Sequence, residues 1–339
     1  MNELADAFDR LLADACTPAV VRAAERGQAP DGLWRTLEGS GFLDALVPAA
    51  HGGAGLRLAD AFDLFVAEGR HAVPLPVGPT MLTRALLAGA GLPLPDGPVA
   101  MADTVRRRPD GGLDCPQVPY GRVARWIAVA WQGGVRLLPA DDAHRQASGV
   151  HGSLRADLHW AAPPAEAITV DGPLAWREAG AALAAARLAG AAERVLALSV
   201  THANDRVQFG RSIGKFQAIQ HQLAVMAEHV LAAHMAAEIG CAGAGLLPDP
   251  LQAALAKART SEAAALVANI AHAVHGAIGI TAEFDLQLYT RRLHEGRADH
   301  GAETHWYREI GRALLGAGDM PALDFMRARL VPADPETRQ

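Results

Sequence analysis

Between residues 174 and 316 the chain carries three long alanine-rich stretches, and these limit its fold more than any other feature. They read "AWREAGAALAAARLAGAAERVLALSVTHAND", "KFQAIQHQLAVMAEHVLAAHMAAEIGCAGAG" and "PLQAALAKARTSEAAALVANIAHAVHGAIGI". Alanine is the best helix former, and small side chains let neighbouring helices approach closely. "DLQLYTRRLHEG" begins a fourth helical pattern. A helical bundle is the expectation for 173–320.

The N-terminal part, 1–95, also reads mostly as helix. "LADAFDRLLADA" spaces Leu4, Phe8, Leu11 and Leu12 helically. "LWRTLEGSGFLDALVP" gives a helix stopping near Gly39–Gly41. Leu58, Phe62, Phe65 and Val66 mark the face of another, ended by Pro74 and Pro76. From 96 to 172 prolines and glycines multiply, and short apolar runs such as "RWIAVAW", "GVRLLP" and "AITV" predict modest strands. The fold class expected is mainly α with a small β domain. A tail is expected over 321–339, with "VPADPETRQ" frayed.

The chain has 339 residues, half of them hydrophobic, which is ample for a core. Net charge is −6 and no dense basic run occurs, which argues against nucleic acid. Cys16, Cys115 and Cys241 are few and far apart, which fits a reducing cytoplasm and neither a disulfide framework nor a thiolate metal site. The N-terminus lacks a secretory pattern, and no uncharged apolar run reaches membrane-helix length. Among 14 histidines, His221, His229 and His234 share one stretch and His272 with His275 another. No glutamate completes a metal motif around them, so no metal is expected. "RRRPDGG" at 106–112 reads as a solvated turn.

Between the first two alanine-rich stretches lies "RVQFGRSIGKFQ", residues 206–217. Arg206 offers a planar fork of donors for phosphate or carboxylate. Phe209 is a flat apolar plate. Gly210 and Gly214 allow backbone to come close to a ligand. Gln217 can hydrogen-bond from the first turn of the next helix. Such a set can hold the ADP part of a dinucleotide, or it can be a surface turn with Phe209 packed inward.

"RVQFGRSIGKFQAIQHQLAVMA" and "VHGAIGITAEFDLQLYTRRL" closely resemble the flavin-dependent acyl-CoA dehydrogenase family, and "LWRTLEGSGFLDALVPAAHGGAGLRLADAFDLFVAEGRH" resembles its N-terminal helical domain. The resemblance covers roughly 30–95 and 174–315. It implies an N-terminal helical domain, a central β domain, here reduced, and a C-terminal four-helix bundle. It also implies that Arg206, Phe209, Gly210 and Gln217 reach across a subunit interface to the ADP half of a neighbour's FAD. The family's second pyrophosphate-binding stretch falls on Ala273, Val274, His275, Gly276 and Ala277; the family usually has glutamine where this chain has Ala273.

The family's reaction needs a carboxylate to take the proton beside the thioester carbonyl while the flavin takes a hydride. At the usual place of that carboxylate this chain has "ADHGAE", with His300 in the glutamate's position and Asp299 beside it. The other position used in the family is Gly180. The flavin-ring motifs of the middle domain are missing. The resemblance therefore implies a partner subunit that completes the FAD site of a longer, catalytically complete homologue, two of each, acting on an acyl-CoA and passing electrons to an electron-transfer flavoprotein. Mixed assemblies of the family often act on CoA thioesters from sterol or other polycyclic breakdown. The alternatives are a self-sufficient enzyme using Asp299 or His300 as base, and a flavin-free scaffold. "RRLHEGR" at 291–297 could pair with carboxylates in the bundle or with a CoA phosphate.

Overall fold

The computed structural model describes residues 3–172 and 174–330. Helices come first: α1 (Glu3–Ala15), α2 (Pro18–Glu25), α3 (Asp31–Gly39), α4 (Phe62–Arg70) and α5 (Val77–Gly89). Leu58 lies in the turn before α4 and is buried with Phe62, Phe65 and Val66, so the apolar face begins earlier than the helix. Pro76 stands just before α5, where its fixed φ suits a helix start.

The middle region holds β1 (Val99–Ala102), β2 (Arg106–Arg107), β3 (Leu113–Val118), β4 (Trp126–Trp131), β5 (Gly134–Pro139), β6 (His144–Ala147), β7 (Ala156–Trp160) and β8 (Ile168–Val170). They form two four-stranded sheets, ordered β1-β4-β5-β8 and β2-β3-β7-β6. The runs "RWIAVAW", "GVRLLP" and "AITV" are β4, β5 and β8, neighbours in one sheet. β4 and β5 are a hairpin closed by Gln132 and Gly133, both at positive φ as a tight two-residue turn demands. "RRRPDGG" is exposed β2 and the turn after it, with Arg108 paired to Asp110 and Asp114.

Then α6 (Trp176–Asp205), a short hairpin of β9 (Val207–Gln208) and β10 (Arg211–Ser212), α7 (Gln217–Cys241) and α8 (Pro250–His275) follow. The sharp start of α8 has a local cause. Asp249 accepts hydrogen bonds from the Leu251 and Gln252 amides at 2.9 and 3.0 Å, with Pro250 as first residue. The stretch Pro250–Ile280 is long and apolar enough to cross a membrane, with mean hydropathy 1.5. Here it packs against α6 and α7 and buries Lys257 completely. The fourth helical element is broken into α9 (Leu286–Ala298) and α10 (Glu303–Gly316).

The tail reading of 321–339 is corrected in its first part: α11 (Ala322–Arg329) folds there and buries Phe325 in a cluster with Leu251 and Leu330. "VPADPETRQ" lies outside the described residues.

Alanine lets the helices meet, but at one crossing even alanine is too large. A β-carbon on Gly69 of α4 would fall 1.9 Å from the Arg187 carbonyl of α6, and one on Gly190 would fall 1.9 Å from the Val66 carbonyl. These reciprocal glycines bring the N-terminal helices onto the bundle backbone to backbone. Glu25 of α2 adds an ionic tie, accepting from Arg291 and Arg292 of α9 at 2.6 and 2.7 Å. That answers the choice left open for "RRLHEGR": Arg291 and Arg292 pair with Glu25, and Arg297 with Glu303 of α10.

Candidate functional site

α6 ends at Asp205, and the chain turns through β9 and β10, which pair antiparallel. Phe209 and Gly210 form the tip, at φ 52° and 79°. A two-residue turn of this kind favours Asn or Gly at its first position, because a bulky side chain at positive φ is strained. This chain puts phenylalanine there and leaves it 91% exposed. The inward-packed alternative is thereby excluded. Its neighbour Phe216 meets it edge-on at 6.2 Å and carries the Arg211 guanidinium 4.2 Å above its ring. Arg206 is exposed, and its guanidinium has no hydrogen bond or ion pair among the described residues. Gln217 opens α7 and is likewise exposed.

The second motif joins the first through stacked rings. His275, the last residue of α8, is 6% exposed and stacks on His202 of α6 with centroids 4.4 Å apart. His202 lies one turn before Arg206. Gly276 follows with φ 64° and ψ −144°, a backbone shape open to glycine alone, and both it and Ala277 are exposed. His275 accepts no partner at Nε2, which is buried. Burial holds the His275 and His202 imidazoles below their usual values. An unpaired guanidinium and an exposed glycine backbone are donors fit for a diphosphate, and the exposed Phe209 ring is a plate fit for a flat heterocycle.

The region of the missing base is built in the opposite way. As a sequence, "HEGRADHGAETHW" is rich in polar groups and reads as exposed. Asp299 and His300 are instead 5% and 8% exposed, wedged where α9 breaks from α10. Asp299 accepts from Arg155 of the β region and from Arg187 of α6, the latter at 2.7 Å. Burial pushes its carboxyl up, yet Arg155 and Arg187 together hold it below the usual range. A carboxylate so held is a weak base. Arg187 also lies 4.0 Å from Glu68, whose burial raises it to about 7, and its guanidinium covers the Tyr120 ring at 5.1 Å.

His300, at φ 55°, is hydrogen-bonded through Nδ1 to Asp103. Its ring sits on Gly180, where a β-carbon would lie 2.6 Å from Nδ1. The two positions that could carry a base thus fill one another. Lys257 fixes the break, donating to Ser261 Oγ at 2.7 Å and to the Arg297 and Gly301 carbonyls at 2.9 and 3.0 Å. The cavity left beside Asp103, Arg177 and His300 is about 160 Å³, and the one beside Tyr120 and Arg187 about 40 Å³. Both fall below the roughly 300–1,000 Å³ of a drug-sized ligand pocket.

Sequence reasoning missed this network. Arg187 carried a signal, since it is the one charge between Glu178 and Glu193 in an alanine-rich helical run; Glu68, with Asp63 and Arg70 in the same helix, carried little. Asp103 and Arg155 carried none. It also missed a cavity of about 730 Å³ between the α2–α3 segment and the β region, lined by Trp34, Arg122, Arg125 and Arg145 among others. Of the histidines weighed as metal ligands, His229 meets Arg259, His234 meets Glu193, and His272 meets Thr290. No group of three or more metal-ligating side chains is assembled among the described residues.

Comparison with known proteins places this architecture. The family described as acyl-CoA dehydrogenase, N-terminal domain, matches residues 1–89, and acyl-CoA dehydrogenase, C-terminal domain, matches 178–315. The chain is 36% identical over 291 residues to acyl-CoA dehydrogenase IpdE2 of Mycobacterium tuberculosis (strain ATCC 25618 / H37Rv), covering 84% of this chain and 87% of that one. Among solved structures, the Tcur3481-Tcur3483 steroid ACAD variant superposes with a TM-score of 0.79 at 25% identity, covering 94% of this chain and 98% of the other. The ChsE4-ChsE5 complex from Mycobacterium tuberculosis shares the fold, with a TM-score of 0.77 at 24% identity over 94% and 97%. With both terminal domains matched and a relative aligned along most of its length, the chain belongs to the acyl-CoA dehydrogenase family.

Proposed function

We propose that this chain is the cofactor-gripping partner subunit of a heteromeric acyl-CoA dehydrogenase. Its hinge holds the ADP half of FAD whose ring rests in a longer, catalytically complete homologue. The observation that carries this reading is the contrast at the two sites. Arg206 and Phe209 are exposed, whereas Asp299 is locked by Arg155 and Arg187, and His300 by its hydrogen bond to Asp103, beside a cavity of only about 160 Å³.

In the assembly Arg206 would hold the diphosphate, Phe209 and Gly210 would offer a flat face to the adenosine, and Gln217 would supply a hydrogen bond from the start of α7. Gly276 and Ala277 offer backbone, and His275 supports them from below. FAD, when bound, supplies the hydride acceptor for α,β-dehydrogenation of a CoA thioester. The proton is taken by the partner. Electrons leave to an electron-transfer flavoprotein, and the assembly works in the cytoplasm. Steroid-like acyl groups are the substrate class favoured by the steroid ACAD neighbour. The limits 1–95, 96–172 and 173–320 are the proposed domain division.

The test is co-expression with a full-length homologue, followed by absorbance, mass analysis and turnover with steroid and straight-chain CoA thioesters. The complex is expected to be yellow and active, and the chain alone colourless and inactive. Stoichiometric flavin and turnover in the chain alone, lost on His300→Ala, would establish the self-sufficient reading instead. A colourless complex would leave only a scaffold.

A further inference from the structure

The stacked imidazoles beneath the hinge do more than pack. His275 Nδ1 lies 2.8 Å from the Ala271 carbonyl, so in the neutral ring this nitrogen carries the proton and donates it. Nε2 is then a bare lone pair, buried and without a partner. A buried, unsatisfied acceptor is a costly arrangement, and a fold keeps one where something else uses it. Protonation would make Nε2 a donor, and the carbonyls of Ala271 and of Leu198 on α6 both favour that form. The groups acting against it are few. Arg206 opposes charge on His202, with Asp205 acting the other way. The two stacked rings oppose each other, and His272, beside His294 of α9, adds to the opposition on α8. Phe284, 5.2 Å away, is neutral.

Resting on the hinge reading above, we propose that the His202–His275 pair takes up a proton when the diphosphate binds. The pair is a neutral floor in the empty site and a cationic one in the filled site. The physical cause is the arrival of two negative charges on Arg206. Burial is what chiefly keeps the rings neutral, with Arg206 adding to it on His202 alone; the two charges offset Arg206 and favour a cation beside them, and a diphosphate diester keeps both throughout the range where imidazoles titrate. Binding and protonation are then reciprocally linked. The empty pair sits below the usual imidazole value and the filled pair above its empty value. Affinity is therefore highest at acid pH and falls as pH rises between those two values, by up to about tenfold per pH unit for one proton.

ADP-ribose, a diphosphate diester without a flavin, is the probe. It is titrated into the full chain by calorimetry at pH 6, 7 and 8, in two buffers of different ionisation heat. Up to one proton taken up per ligand and weaker binding at pH 8 are expected. His202→Phe keeps a flat ring and should bind with a flattened pH profile; His275→Asn, checked for folding by circular dichroism, should do the same. Arg206→Ala should weaken binding at every pH. Binding equal from pH 6 to 8 with no proton uptake, while Arg206→Ala still weakens it, overturns the proton linkage and leaves the hinge reading standing. No binding at any pH, together with unchanged flavin content of the co-expressed complex on Arg206→Ala, overturns both.

Discussion

The hinge and the α9–α10 break are both rich in charge, both interrupt helices and both hold a non-glycine residue at positive φ, yet they are opposite in exposure and in the pairing of their side chains. At the hinge the polar groups lack partners and face solvent; at the break Asp299 and His300 are partnered and buried. The hinge tolerates a strained aromatic at its tip, whereas the break is stitched by Lys257 to three acceptors. Strain and unmet hydrogen bonds persist where a ligand or partner relieves them. A satisfied buried network persists because breaking it is expensive. The same bundle therefore ends in one exposed surface with unpaired side chains and one closed, paired interior.

The largest effect that separates the two should come from Asp299→Ala. It strands Arg155 and Arg187 in the interior and should lower stability by about 3–5 kcal/mol, read from the urea midpoint. Because the folded carboxyl lies below its ordinary value, its contribution is full above the ordinary carboxylate range and is lost as pH falls through the folded value. The difference between wild type and variant should shrink on acidification; a constant difference would mean that charge is not what Asp299 supplies.

Arg206→Ala comes next. It should leave the fold of the chain unchanged while lowering flavin retention of the assembly by roughly 1.5–3 kcal/mol. Unchanged flavin content would remove the contrast at its exposed end. Gly180→Ala should cost about 1–3 kcal/mol through overpacking, because the new β-carbon meets the His300 ring held by Asp103. A neutral result, measured by thermal unfolding, would show that the closed site has slack. The smallest effect is that of Phe209→Gly. Relief of about 1–2 kcal/mol of left-handed strain is offset by roughly 0.5–1 kcal/mol of added backbone entropy in the unfolded chain. A small gain in stability with a loss of flavin would set stability against function at that one residue.

The bundle was legible because alanine-rich runs with apolar periodicity state both helix and close packing. Strands β4, β5 and β8 were legible as apolar runs between turns. The hinge was legible as an interruption between two long helices, since Gly210 and Gly214 punctuate it, although nothing local says that Phe209 faces out. The break was misread because Asp, His and Gly together look like a solvated loop. Its partners come from far away: Arg155 is 144 residues from Asp299, and Asp103 is 197 from His300. Contacts at that separation leave no periodic trace. α11 was missed because its helical run is short and follows "GAGDMP", which reads as an ending.

One element touches nearly everything described. The 30-residue α6 carries Gly180 and Arg187 at its closed end and His202 at its open end, with Arg206 just beyond. From Arg187 to Arg206 is about 28 Å at 1.5 Å per residue. Along much of that length its alanines and glycines sit against α4, α7 and α8 with little side chain between. Such a rod transmits tilt and absorbs almost none. The anchoring of Arg187 thus works as the fulcrum that sets where the hairpin points, and loosening it should misaim an arm more than two dozen ångströms away.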